Sequence, residues 1–182
     1  MRQVSAVAPA KINLALRVGR RRADGFHPLN TLFHAVDLVE RITVRTAEAG
    51  PDQLRVVGPW AGAVPLDGSN LVVRVAERLR GGRSGAIAVV IDKAIPVAGG
   101  LAGGSADAAA ALVALNELWG LGLSRAELVE VAGELGSDVP FALCGGNAVG
   151  EGRGEKLRET AQGGALHWVL LTAREGLATP DV

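Results

Sequence analysis

Pro96-Val97-Ala98-Gly99-Gly100-Leu101-Ala102-Gly103-Gly104-Ser105-Ala106-Asp107 is the stretch on which the reading of this sequence turns. Before it, Ala86–Ile91 is a run of small and β-branched residues that reads as a strand. After it, Ser105–Trp119 places Ala108, Leu112, Leu115 and Trp119 at helical spacing. The segment is therefore a strand, a glycine-rich loop and a helix in succession. Glycines let backbone N–H groups converge on a ligand without interference from Cβ. The helix start adds unpaired donors and a partial positive charge, so the assembly suits a di- or triphosphate. An ordinary turn capped by Ser105 or Asp107 is the plainer alternative. Four glycines within Gly99–Gly104 make that alternative wasteful, because each costs backbone entropy unless its freedom is used. Gly99 and Gly104 have the spacing of a Walker A loop, but Ser105-Ala106 follow where that motif needs Lys and Ser or Thr. No Gly-x-Gly-x-x-Gly occurs, so a dinucleotide fold is not indicated.

Working outward, the first third of the chain reads as strands. In Lys11–Val18, the residues Ile12, Leu14, Leu16 and Val18 alternate with Lys11, Asn13, Ala15 and Arg17. Period two puts Lys11 and Asn13 on one face, opposite the aliphatic row. Thr31–Leu38, Glu40–Thr46 and Gln53–Val57 are further expected strands. Asn70 caps an expected helix over Leu71–Arg80, Ser124 and Glu127 form a capping box for another running toward Glu134, and Leu166–Thr172 is expected to be a late strand. The pattern is that of one α+β domain, a mixed sheet packed with helices.

Composition narrows the partners. Of 182 residues, 48% are hydrophobic, enough for a sizeable core and against disorder or coiled coil for the whole chain. Nineteen basic residues balance nineteen acidic ones, which argues against a general nucleic-acid or membrane-surface binder. The one cysteine, Cys144, permits neither an internal disulfide nor a cysteine-built zinc site, and with no signal or spanning segment the expected setting is cytoplasmic. Only three of the basic residues are lysines (Lys11, Lys93 and Lys156), which singles them out for inspection.

The pattern Pro96-x-x-x-Gly100-Leu101-x-Gly103-Gly104-Ser105-Ala106 resembles the second motif of the GHMP kinases. Pro9-Ala10-Lys11-Ile12-Asn13-Leu14, Asp24-Gly25-Phe26-His27 and Gly136-Ser137-Asp138-Val139-Pro140 follow the order of one member of that family. The resemblance runs from Pro9 to about Pro180. It implies a GHMP kinase N-terminal domain, ribosomal protein S5 domain 2-like, over residues 1–172. Residues 173–182 would begin the connection to a C-terminal domain, absent from this chain, that carries a third glycine-rich motif. The activity implied is ATP-dependent phosphorylation, with Mg²⁺, of the 2-hydroxyl of 4-diphosphocytidyl-2-C-methyl-D-erythritol, a step toward isoprenoid precursors. Another small-molecule kinase of the family, or a nucleotide-binding fragment without turnover, are the alternatives.

Carried over residue by residue, the resemblance makes Asp138 the base and Lys11 its cationic neighbour. Such a pair suits phosphoryl transfer, which needs an acceptor for the alcohol proton and a cation near developing charge. Pro96 to Ala106 would cradle the phosphates, with Asn70 and Leu71 near the adenine, Lys93 near the nucleotide entrance and Ser105 as a magnesium ligand. Asn13, Phe26, His27 and Thr179 would contact substrate, His27 reading the cytosine edge. Phe26 stands where the family usually has tyrosine; stacking on a base needs only the aromatic face. Arg17, Arg20, Arg21 and Arg22 read as a solvated basic turn rather than a diphosphate site.

Overall fold

One long strand organises the molecule. The computed structural model describes residues 2–171, apart from Arg22, Asp24, Phe26, Glu48, Ala49 and Gln162. β1 (Gln3–Val18) and β2 (Leu29–Thr46) form an antiparallel hairpin along their full lengths. The sequence predicts a first strand beginning only at Lys11, then two separate strands over Thr31–Leu38 and Glu40–Thr46. The structure extends the first back to Gln3 and fuses the other two. The residues before Lys11 find partners from Arg45 to Val39, and the expected break near Leu38 is a bulge. Pro9 pairs with Val39 but Ala10 with Val36, leaving Asp37 and Leu38 as extra residues.

A second irregularity changes which side chains share a face. Asn13 pairs with Phe33 and Ala15 with Leu32, so Leu14 is an extra residue in β1. With a side-chain period of two, one inserted residue exchanges the faces beyond it. Ile12 stays opposite Lys11 and Asn13, whereas Leu16, paired with Thr31, and Val18, paired with Leu29, join their side. The unbroken aliphatic row of the sequence is thus corrected. Leu14, Leu16 and Val18 are 38%, 51% and 59% exposed.

The other edge of β2 is divided. Residues 41–46 pair antiparallel with β4 (Ile87–Asp92), and residues 29–34 pair antiparallel with β5 (Asn147–Gly152). Residues 35–40 pair with neither. β3 (Gln53–Val57) lies parallel to β4, and β6 (Lys156–Glu159) antiparallel to β5. The sheet is therefore ordered β3-β4-β2-β5-β6, with β1 on the free edge of β2. β5 and β6 are absent from the sequence reading, because Asn147–Gly152 carries two glycines and no alternating pattern. Conversely, the strand expected over Leu166–Thr172 does not form: residues 166–171 have no strand partner among the described residues, and Thr172 lies outside them.

The helices are α1 (Leu71–Arg80), α2 (Gly103–Trp119), α3 (Arg125–Leu135) and a short α4 (Val139–Cys144) that the sequence reading lacks. α1 begins as expected, with the Val72 N–H donating to Asn70 Oδ1 at 2.8 Å. It ends at Gly81 in the left-handed region, φ 52°. The Ser124–Glu127 capping box of α3 is formed in both directions. α2 departs from its expected single apolar face. Ala106, Ala108–Ala111, Leu112, Ala114, Leu115 and Leu118 are all buried, so it is a core helix enclosed nearly all round. Its alanines allow close approach to β1, β2, α1, α3 and α4.

A smaller cluster supports the site. Phe33 stacks on Phe141 with ring centroids 4.8 Å apart, beside Ala148. A Cβ at Gly150 would lie 2.6 Å from Phe33 Cε2, so glycine is needed there for space. Gly150→Ala is expected to push the ring off Phe141 and destabilise the fold by about 1–3 kcal/mol. Urea unfolding measures this; an unchanged midpoint would show that the ring is free to move aside.

Candidate active site

The glycine loop joins β4 to α2, and its handedness is distributed differently from what its composition suggests. Of its four glycines only Gly100 takes a positive φ, 70°, while Ala98 and Ala102 hold φ 55° and 59°. Left-handed alanine costs about 1–2 kcal/mol, which the surrounding structure must overcome. Successive changes of backbone handedness turn N–H groups toward one concavity, an arrangement suited to anions. Gly103 serves space instead: a Cβ there would sit 3.1 Å from both Lys93 Nζ and Ile95 Cγ2. Before Gly104 the space is open, with Leu71 Cδ1 the nearest atom at 3.9 Å. Leu71 therefore borders the loop. Asn70 is buried with both side-chain groups engaged, Oδ1 by Val72 N–H and Nδ2 donating to the Pro65 carbonyl at 2.7 Å.

Ser105 is the third residue of α2; the cap position falls to Ala102, which makes no side-chain bond. The Ser105 hydroxyl makes no hydrogen bond to a described residue. Pro96, Val97 and Leu101 anchor the loop against the body, Leu101 being buried, while Ala98, Gly99, Gly100 and Gly104 are exposed.

The loop is tied directly to β1: the Lys11 N–H donates to the Leu101 carbonyl at 3.1 Å. The Lys11 side chain rises over the Phe33 ring, Nζ 5.8 Å from its centroid, and donates to Asn13 Oδ1 at 2.8 Å. Asn13 is fixed in turn, donating to Thr31 Oγ1 at 2.6 Å, and Thr31 donates to the Ala15 carbonyl at 2.8 Å. Asp138 stands immediately before α4 without capping it. Its Oδ2 lies 3.8 Å from Lys11 Nζ, and its side chain is one-third exposed. The β5–β6 turn closes on its other side, where a Cβ on Gly154 would be 3.8 Å from Asp138 Oδ1. The structure thus brings Lys11, Asn13 and Asp138 together beside the loop. No sequence signal marked Thr31 or Phe33, whose roles depend on pairing across the hairpin.

Lys93, expected near the nucleotide entrance, is instead 1% exposed beneath the loop. Its ammonium lies 2.8 Å from Glu40 Oε1 and 2.6 Å from Asp107 Oδ2. Burial pushes the Asp107 carboxyl up to about 7, against the pull of Lys93 and with the nearby Glu40 charge adding to the rise. A carboxyl raised above its ordinary 3.8 contributes stability that is full below that value and is lost as pH rises toward 7. Stability is therefore expected to fall between about pH 4 and 7 from this group, and Asp107→Asn to flatten that part of the profile. Urea titrations at several pH values check this; an unchanged slope would refute it. Asp107 interrupts an alanine run and Glu40 the period-two row of Leu38, Ile42 and Val44, a signal that marks each carboxylate but not their meeting.

His27 lies apart from the Lys11–Asp138 pair, exposed at the end of the hairpin, with Nδ1 donating to the Gly19 carbonyl at 2.9 Å. Phe26 and Thr179 lie outside the described residues, as do Asp24 and Arg22. An open cavity of about 630 Å³ between His34–Leu38 and residues 163–170 includes His34, Asn147 and Trp168, but neither Lys11 nor Asp138. Among the described residues no three His, Cys, Asp or Glu side chains group as metal ligands, and no helix is long and apolar enough to cross a membrane. Magnesium commonly takes only one or two protein ligands beside phosphate oxygens, so the uncommitted Ser105 hydroxyl fits that ion.

The sequence model for the GHMP kinases N terminal domain matches residues 70–146, from the cap of α1 through the loop, α2, α3 and α4. More particular relatives follow. A 4-diphosphocytidyl-2-C-methyl-D-erythritol kinase of Mycobacterium marinum is 54% identical over 176 residues, covering 96% of this chain and 54% of the relative. One of Streptomyces coelicolor is 53% identical, covering 98% and 60%. A crystal structure of 4-(cytidine 5'-diphospho)-2C-methyl-D-erythritol kinase superposes with TM-score 0.69 at 38% identity, over 86% of this chain and 55% of that one. The mevalonate kinase of Methanococcus jannaschii, at 13% identity and TM-score 0.63, shares the fold. The chain spans a little over half the length of these curated relatives.

Proposed function

We propose that this chain carries the nucleotide-binding and catalytic part of a kinase that transfers the terminal phosphoryl of ATP to the 2-hydroxyl of 4-diphosphocytidyl-2-C-methyl-D-erythritol, in the non-mevalonate supply of isoprenoid precursors. The observation that supports it best is the bond from Lys11 N–H to the Leu101 carbonyl, which sets the Lys11–Asp138 pair directly beside the phosphate loop. Asp138 accepts the proton of the attacking hydroxyl. Lys11, oriented by Asn13, faces the charge that develops on the transferred group. The loop amides and the start of α2 hold the phosphates, with Leu71 against the nucleotide. Ser105 would ligate Mg²⁺, which supplies neutralisation of phosphate charge. His27 and Phe26 take the cytosine, Asn13 the polyol and Thr179 the far side of the substrate.

The test is ADP release with this acceptor against mevalonate and homoserine. Turnover with the cytidylyl substrate alone supports the reading, and preference for mevalonate overturns it. The loop by itself, with its successive changes of backbone handedness, supports one second reading, nucleotide binding without turnover. Binding of a non-hydrolysable ATP analogue with no ADP release would select it.

A further inference from the structure

We propose that Glu40, Lys93 and Asp107 form a buried clamp that positions both ends of the phosphate loop, so that Lys93 acts on the nucleotide through the loop and not by touching it. What the loop holds rests on the kinase reading; the clamping itself does not. Glu40 lies at the end of residues 35–40, the part of β2 that neither β4 nor β5 covers, and it is fully buried. Its oxygens accept two consecutive amides beyond β4, Ala94 N–H at 2.9 Å and Ile95 N–H at 3.0 Å. The same carboxylate takes the Lys93 ammonium at 2.8 Å. From there the ammonium reaches Asp107 Oδ2 at 2.6 Å, on the second turn of α2. The entry to the loop and the helix that receives it are thus joined through one nitrogen. That nitrogen lies under the first turn, 3.1 Å from where a Gly103 Cβ would be.

Between these ends the loop is held at Leu101, whose carbonyl accepts the Lys11 N–H, while its outer residues face solvent. Ala98, Gly99 and Gly100 are exposed, and Ala98 and Ala102 are held in the left-handed region. A strained, solvent-facing loop keeps its shape only if its ends are over-determined. An apolar filler could occupy the same volume but would leave two buried amides unpaired. Directional charged bonds at fixed points suit a positioning role, in which buried ionic groups serve geometry more than net stability.

The test compares Glu40→Gln and Asp107→Asn with Val131→Ala, a core variant on α3 tuned by urea to the same stability. Hydrogen exchange is followed at Ala94, Ile95 and Gly103–Asp107 without nucleotide, and ADP affinity is measured by calorimetry. A glutamine amide can accept only on one side, so Glu40→Gln is expected to accelerate exchange at Ala94 or Ile95 at least about tenfold and to weaken ADP binding about tenfold. Asp107→Asn, which keeps one acceptor for Lys93, is expected to fall between Glu40→Gln and wild type. Val131→Ala should change neither readout at matched stability. Wild-type exchange and wild-type ADP affinity in both clamp variants would overturn the proposal, as would equal losses in Val131→Ala. If the unaltered chain bound no ADP, the kinase reading would fail, and the exchange comparison would still decide the clamp.

Discussion

Asp138→Asn is expected to lower the rate of ADP release with 4-diphosphocytidyl-2-C-methyl-D-erythritol by about 10²–10⁴-fold, the range that a positioned proton acceptor contributes. Nucleotide affinity should barely change. The cradle proposed for the phosphates uses main-chain groups of Pro96–Ala106, whereas Asp138 belongs to the separate segment before α4. Asparagine keeps the shape of the carboxylate beside Lys11, but it cannot carry away the hydroxyl proton. A rate within a few-fold of wild type, with ADP affinity preserved, would remove Asp138 from the base role. A parallel loss of rate and affinity would instead point to a disturbed fold.

The second large effect concerns stability. Lys93→Met should destabilise the domain by about 3–5 kcal/mol, because it leaves Glu40 and Asp107 buried near one another without their cation. A domain of this kind has about 5–15 kcal/mol in all, so the urea midpoint should drop steeply. The contrast with the surface is informative. Arg78 and Glu134 form a close pair at 2.8 Å, yet both are about half exposed, and solvent screening leaves such a pair little to contribute. Arg78→Met should therefore move the midpoint far less than Lys93→Met. Similar shifts for the two would mean that water reaches Lys93 in solution.

Local chemistry made much of this molecule legible in its sequence. The caps at Asn70 and Ser124 are short-range devices, and both are formed as expected. The juxtaposition of Lys11 and Asn13 follows from a period of two, and their side chains bond as that period requires. What escaped depended on partners distant in sequence. The face exchange at Leu14 is set by pairing with Leu32 and Phe33, which no pattern within β1 reveals. β5 carries little apolar alternation because Gly150 must yield its space to the Phe33 ring. Lys93 reads from the sequence as a residue of the nucleotide entrance because a single sequence shows a charge but not the two carboxylates that enclose it. Even the loop was read correctly in place but not in detail, since two of its three left-handed positions fall on alanines.

The two bulges of the hairpin bear on how this domain can vary in length. Asp37–Leu38 in β2 lie between Ala35, the partner of Lys11, and Glu40, while Leu14 in β1 lies beyond Asn13, between the Lys11 end of the strand and its turn. Deleting a residue at a bulge leaves the pairs on either side in register, whereas deleting one elsewhere in β1 or β2 would turn the side chains beyond it through to the wrong face. Single-residue deletions should therefore be rejected within the strands away from the bulges. Over evolutionary time, the hairpin acts as a ruler whose graduations are its irregularities.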